Sequence, residues 1–185
     1  MIKLAIIKDI CTWNAERYEQ EHNYEVLVRL LKEEGEETLE ALEKGSDVDI
    51  YDGYADVIYV AIGGLWKLKV RHIYALLIQV QQSVTEFPSL RASIIWYEDK
   101  PSVHTLALVV CTAFHEGALR LGSTLGMSDI LTAVCISNNT KEVVKTESSI
   151  KANIYKGEAY VPPTEDIEQV LLFVKEGVYK ELDDE

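Results

Sequence analysis

The sequence predicts an all-α protein, a helical bundle that forms one domain over residues 1–185. Three observations favour this fold class. Apolar residues recur with the 3.6-residue period of helices over long segments. Patterns typical of strands are few, and only 4 of the 185 residues are proline.

The predicted helices follow one another with short connections. The first covers 2–20, and the second covers 24–44 and ends at Gly45, because glycine readily adopts the left-handed conformation that closes helices. Further helices are expected at 72–86, 101–121, 128–137 and 164–182 (within the C-terminal segment 164–185), and 138–163 is predicted as a loop that includes a short extended piece.

The third helix is predicted over about 50–68, with Asp47 or Asp49 as its N-cap. No charged residue occurs from Val57 to Trp66, and apolar residues surround this stretch on every side. A helix of this kind is buried, so the third helix is expected at the centre of the bundle.

The charge pattern restricts the classes of partner. The chain has a net charge of −13, which repels phosphate and argues against nucleic acid as a general partner. The acidity is uneven, since residues 57–157 carry 7 acids and 10 bases, a net of +3. The longest uncharged runs are too short to span a bilayer, so no membrane contact is expected.

The three cysteines, Cys11, Cys111 and Cys135, are widely spaced and form no CxxC motif. This pattern is not that of a disulfide framework or a zinc site. Free thiols among apolar neighbours are typical of a reducing compartment, so a cytoplasmic location is expected.

Glutamates crowd the second helix, but they do not share one face. On a helical wheel, Glu34 falls in the middle of the apolar stripe, and Glu37 and Glu33 fall at its edge. A carboxylate on a core-facing stripe is costly to bury and is usually paired or bound to a metal. The alternative is a buried salt bridge from Glu34 to Arg29, Lys32 or a lysine elsewhere.

The third helix offers a complementary pair of carboxylates. Asp52 and Asp56 are four residues apart and therefore lie on one side, in line with Gly63. The short connection around Gly45 favours antiparallel packing of the two helices. Carboxylates converging from both helices require a cation, and oxygen ligands suit Mg²⁺ or Mn²⁺.

Three sequence blocks resemble a known superfamily. The superfamily is that of the all-α nucleoside triphosphate pyrophosphatases, the MazG-like and HisE-like proteins of bacteria and phages. Its two metal helices resemble Leu31–Leu42 and Asp52–Val60. Its SNxSK and KGPxYxPP segments resemble Ser137–Lys141 and Lys156–Pro163. The resemblance covers 1–66 and 117–163, and 67–116 is interpreted as an insertion. Gly53 stands where these proteins carry a glutamate.

The resemblance implies Mg²⁺-dependent hydrolysis of a (deoxy)nucleoside triphosphate to the monophosphate and pyrophosphate, for control of a nucleotide pool. It also implies a homodimer or homotetramer. The implied site residues are Glu34, Glu37, Asp52 and Asp56 for the metal, Glu33 and Glu34 for catalysis with Glu33 as the base, Asn138, Lys141 and Lys156 for phosphate or ribose, and Trp13, Asn14 and Tyr160 for the base.

Two alternatives remain open at this point. The chain could be a nucleotide-binding or regulatory bundle that has lost its activity, because Gly53 departs from the pattern. A carboxylate-bridged di-iron bundle would need Glu-x-x-His pairs on two helices, and Glu19-x-x-His22 is a single such pair.

Overall fold

The computed structural model describes residues 1–144 and 153–183 of the chain, and within them the protein is a bundle of helices with one small hairpin. The helices are α1 Leu4–Arg17, α2 Tyr24–Lys44, α3 Asp47–Lys67, α4 Ile73–Ser83, α5 Leu90–Asp99, α6 Val103–Leu121, α7 Thr124–Asn139, α8 Thr164–Lys175 and α9 Val178–Asp183. The strands are β1 Glu142–Val144 and β2 Asn153–Tyr155. The all-α fold class is thereby confirmed.

Helices α2 and α3 form a hairpin with a very short turn. Gly45 ends α2 in the left-handed conformation, with φ of 76°. The N-cap of α3 is Ser46, whose hydroxyl accepts a hydrogen bond from the Asp49 amide. The expected cap at Asp47 or Asp49 is therefore wrong. Both acids lie in the first turn instead, where they interact favourably with the positive end of the helix dipole.

Helix α3 is the centre of the bundle. It packs against α1, α2, α4, α6, α7 and α8. Ile58, Ile62 and Leu65 are completely buried, as the uncharged stretch of the sequence predicts. Because the middle of α3 has neighbours on all sides, a polar residue buried there needs partners inside the protein.

Two helical predictions differ from the structure. Helix α5 was not expected, since Pro88 and Pro101 flank it closely and its exposed Ile95 and Trp96 blur the amphipathic pattern. The expected helix 164–182 is broken at Gly177, which has φ of 82° and separates α8 from α9.

The region predicted as a loop contains the expected extended piece, as the antiparallel pair β1 and β2. Glu142 lies opposite Tyr155, and Val143 lies opposite Ile154. Continuing this register by one residue places Lys141 opposite Lys156. The hairpin therefore brings together two lysines that are 15 positions apart in the sequence.

In the part of the chain that the structure describes, no single helix is long and apolar enough to cross a membrane. Helices α6 and α7 pass a test of length and composition only when taken together, and the chain bends by 118° between them.

Candidate active site

A cleft of about 650 Å³ runs along one face of α3, a volume typical of small-molecule sites. Asp56, Tyr59, Gly63 and Lys67 all line it. At about 1.5 Å per residue these positions extend over roughly 16 Å of the helix. The cleft is therefore elongated, with α3 as its floor and residues from α1, α2, α7 and the hairpin around it.

Carboxylates and lysines share one end of the cleft. Glu34 and Asp56 line it from α2 and α3, and Lys141 and Lys156 line it from the hairpin. The charges of the two lysines act on Asp52 and Asp56 and oppose the rise in pKa that burial causes in both acids. The structure thus brings Glu34, Asp52 and Asp56 near Lys141 and Lys156.

Glu34 is perturbed in the way that a core-facing carboxylate should be. Burial and, to a smaller extent, the charges of Glu37 and Asp52 raise its pKa from 4.5 to about 7, although the charge of Lys141 opposes this rise. A raised pKa means that the folded protein disfavours the ionised form unless a cation is added.

Asp56 shows the same effect more strongly. Burial and, to a smaller extent, the neighbouring charges of Asp52 and Glu34 raise its pKa from 3.8 to about 8. The pKa of Asp52 is also raised, chiefly by burial. Burial, and to a smaller extent mutual repulsion, therefore raises the pKa of three acids on two helices.

The alternative of a buried salt bridge at Glu34 finds no support. Arg29 pairs with Glu33 at 3.4 Å, and Lys32 pairs with Glu98 at 2.7 Å. Among residues 1–144 and 153–183, no ion pair closer than 4.0 Å involves Glu34. The nearby cations that could have neutralised Glu34 on its own helix are thus engaged elsewhere.

The donor chemistry of this cluster fits a hard divalent cation, because all of its donors are carboxylate oxygens and their charges repel one another. In the described ranges, no three His, Cys, Asp or Glu side chains stand close enough together to hold a metal ion. The acids therefore surround a common space without converging on one point. Glu19 and His22, the pair considered for the di-iron alternative, also line the cleft.

Glu37 and Glu33 occupy less central places than Glu34. Glu37 is exposed, although its charge acts on Glu34 and Asp52. Glu33 is exposed and lines a separate groove, next to Glu98 of α5. The predicted role of Glu33 as a base stays a prediction, and from its position it has no contact with the cleft.

Aromatic and amide side chains line the middle of the cleft. Trp13 is 8% exposed and donates its indole N–H to the Asn138 carbonyl at 2.9 Å, which ties α1 to the end of α7. Asn14 donates its amide to the Ile10 carbonyl and packs on Gly63, where a Cβ would meet it at 3.1 Å. The space left by Gly63 is therefore filled by Asn14.

Tyr160 stands apart from the other residues predicted to contact the base. It does not line the cleft, but the ammonium group of Lys156 lies 5.0 Å from the centre of its ring. Its position supports a role in holding Lys156 through a cation–π contact.

Tyr59 is a cleft residue that the sequence analysis did not single out. It is 7% exposed, its ring packs edge-on against Trp13 at 5.4 Å, and its hydroxyl has no hydrogen-bond partner among the described residues. The available signal was its spacing, since it follows Asp56 by three positions and so shares its face.

Gly53 has a structural reason to lack a side chain. A Cβ at this position would lie 2.5 Å from the Thr38 hydroxyl and 3.1 Å from the Thr38 Cα. Helices α2 and α3 approach each other closely at this point, so the expected glutamate has no room. Asp52, one position earlier, faces the acids of the cleft instead.

Comparison with known proteins finds a family model that matches part of the chain. The family model of phosphoribosyl-ATP pyrophosphohydrolase matches residues 5–83, which are 79 of the 185 residues and contain both carboxylate helices. No curated protein and no solved structure matches the chain. The match reaches 17 residues into the segment 67–116 that was interpreted as an insertion. The family supports a pyrophosphohydrolase activity on a nucleoside triphosphate, and its members usually depend on a divalent metal. Residues 5–83, less than half of the chain, are thus similar to the phosphoribosyl-ATP pyrophosphohydrolase family.

Proposed function

We propose that the protein hydrolyses a (deoxy)nucleoside triphosphate between its α- and β-phosphates, releasing the monophosphate and pyrophosphate. One observation carries the proposal. A single elongated cleft has acids and two lysines at one end and Trp13 and Asn14 in the middle. This order of charged and aromatic groups matches the order of phosphates and base in a nucleotide.

Glu34, Asp52 and Asp56 would hold Mg²⁺, with Glu37 at the edge of the group. A bound cation would neutralise phosphate charge and relieve the repulsion among these acids. Lys141 and Lys156 hold phosphate oxygens from the opposite wall, and Asn138 lies between them and Trp13 as a donor to phosphate or ribose. These roles rest on position and charge.

A carboxylate must take a proton from the attacking water, and Glu33 and Glu34 are the two candidates. Glu34 lines the cleft, whereas Glu33 does not. Glu33 would first have to leave Arg29. The geometry therefore favours Glu34 over Glu33 as the base.

Trp13 and Asn14 are proposed to contact the base, with the ring as an apolar surface and the amide as a polar edge. One face of Trp13 is already covered by Arg17, whose guanidinium carbon lies 4.7 Å from the ring centre. A base would therefore contact the remaining edge or face of the indole. The homo-oligomer that the resemblance implies is likewise proposed here.

The test is a substrate panel with the purified protein and Mg²⁺ or Mn²⁺, including dNTPs, NTPs and phosphoribosyl-ATP. Release of pyrophosphate from a simple nucleotide is the expected result. Turnover of phosphoribosyl-ATP alone would assign the narrower activity of the matched family. Release of single phosphate, or binding without turnover, would overturn the proposal and favour the non-catalytic alternative.

Matched variants connect the activity to the cluster. Glu34→Gln and Asp56→Asn should each abolish turnover while the helical circular dichroism signal is kept. Glu43→Gln makes the same chemical change on the exposed side of α2 and should leave turnover unchanged. Equal activity in all three variants would remove the carboxylate cluster from the mechanism.

A further inference from the structure

Tyr59 of α3 carries a polar group that the described parts of the protein do not use. The side chain is 7% exposed, and its hydroxyl has no hydrogen-bond partner within residues 1–144 and 153–183. Burial raises the pKa of the phenol, which therefore stays neutral and can both donate and accept a hydrogen bond. A buried hydroxyl without a partner costs free energy, and a ligand that supplies the partner recovers it.

The neighbouring polar side chains in the middle of the cleft already have partners. The Trp13 indole N–H is donated to the Asn138 carbonyl at 2.9 Å, and the Asn14 amide donates to the Ile10 carbonyl at 2.9 Å. Tyr59 lines the same cleft. Both neighbours thus use an N–H within the protein, whereas Tyr59 keeps its O–H available to a ligand in the cleft.

The position of Tyr59 along α3 indicates which part of a ligand it meets. Tyr59 follows Asp56 by three residues and precedes Gly63 by four, which are about 4.5 Å and about 6 Å along the helix axis. Asp56 lies at the acidic end of the cleft, and Asn14 packs on Gly63. The inference rests here on the proposed function, which places the phosphates at the acidic end and the base beside Trp13. The sugar connects the two, so Tyr59 lies at the level of the sugar.

We propose that the Tyr59 hydroxyl forms a hydrogen bond with a hydroxyl group of the substrate's sugar and thereby determines which sugars the protein accepts. The ring packs edge-on against Trp13, with 5.4 Å between the ring centres, and this contact holds the phenol in place. A site that bonds a substrate hydroxyl rejects analogues that lack it, because the polar group of the site is then left buried and unpaired.

The test uses four triphosphates that share one base and differ only in the sugar, which is ribose, 2′-deoxyribose, 3′-deoxyribose or 2′,3′-dideoxyribose. Pyrophosphate release with Mg²⁺ is measured for the wild type and for Tyr59→Phe. Removal of the bonded hydroxyl from the substrate should raise the wild-type KM by about three- to tenfold, the effect of one neutral hydrogen bond, with kcat little changed. Tyr59→Phe should show the same rise with every substrate that keeps this hydroxyl, and no further rise when it is removed.

Tyr54→Phe is the matched control, because it makes the same chemical change on the same helix. Tyr54 is buried, does not line the cleft, and donates its hydroxyl to the Glu116 carboxylate at 3.2 Å. This variant should therefore lose stability and keep the wild-type KM for all four sugars. Circular dichroism of both variants checks that the helices are kept.

Several outcomes would overturn the inference while the proposed function stands. A Tyr59→Phe effect of equal size on all four sugars would mean that the hydroxyl contacts another part of the substrate. An unchanged KM in Tyr59→Phe, or a wild-type KM that is equal for all four sugars, would mean that no such hydrogen bond forms.

Failure of the proposed function has a different signature, since the wild type would then release no pyrophosphate from any of the four. In that case the same comparison is made with the dissociation constants of the four α,β-methylene analogues, measured by calorimetry. Sugar-dependent binding that Tyr59→Phe removes would uphold the contact in a non-catalytic protein. Absence of binding, or binding that is equal for all four sugars, would overturn the inference as well.

Discussion

The substitution Asp56→Asn should make the metal-free protein more stable at neutral and alkaline pH, although it removes a residue from the proposed site. Burial and the charges of Asp52 and Glu34 raise the pKa of Asp56 from 3.8 to about 8. Unfolding therefore releases a proton over the pH range between these two values. Stability is highest when the acid is protonated in both states, and it falls as pH rises from about 4 to about 8.

The magnitude follows from the size of the shift. Each pKa unit corresponds to about 1.4 kcal/mol, so a shift from 3.8 to about 8 sets an upper limit of about 6 kcal/mol. Coupling to Glu34 and relaxation around a buried charge reduce this limit. We expect Asp56→Asn to raise the free energy of unfolding by about 2–4 kcal/mol at pH 9, and by almost nothing at pH 4.

The assay is urea denaturation of both proteins in EDTA at several pH values, with Glu43→Gln as a control on the exposed side of α2. The wild type should lose stability between pH 5 and pH 8, and Asp56→Asn should lose much less. Added Mg²⁺ should stabilise the wild type and have little effect on the variant. A difference between the two proteins that does not vary with pH would refute the reasoning.

Two further predictions concern packing in the same region. Gly53→Ala should destabilise the fold by about 1–3 kcal/mol, because the new Cβ would lie 2.5 Å from the Thr38 hydroxyl. Thermal unfolding measures this loss of stability. An unchanged unfolding transition would mean that α2 and α3 can separate here at no cost. Tyr59→Phe should raise the free energy of unfolding by about 0.5–2 kcal/mol, since it removes a buried hydroxyl that has no hydrogen-bond partner among the described residues. A loss of stability in the same measurement would show that a buried water satisfies this hydroxyl.

Local signals in the sequence predicted much of the fold. The apolar stripe and Gly45 located α2, and the uncharged stretch of α3 placed it at the centre. Helix α5 could not be found in this way, because its outer face carries Ile95 and Trp96 where a solvated helix would carry polar residues. A pattern of period 3.6 detects a helix only when one face is polar.

The sequence predicted which residues form the site better than it predicted their arrangement. The wheel position of Glu34 anticipated its raised pKa, since both depend on the core-facing side of one helix. The clash between Gly53 and Thr38 depends on how closely two helices approach, and the chain does not encode that distance locally. The same holds for Tyr59, whose unpartnered hydroxyl is apparent only once Trp13 and the neighbouring helices surround it.

The β1–β2 hairpin makes the spacing of two cations independent of the length of chain between them. In an antiparallel pair, one step back along the first strand is matched by one step forward along the second. Lys141 therefore faces Lys156 for as long as Glu142 faces Tyr155. Residues added between the two strands would leave this pairing unchanged. One residue added between Tyr155 and Lys156 would move Lys156 by about 3.3 Å and turn it to the other side of the ribbon. Relatives of this protein are therefore expected to differ more in the number of residues between the two strands than in the number between Tyr155 and Lys156.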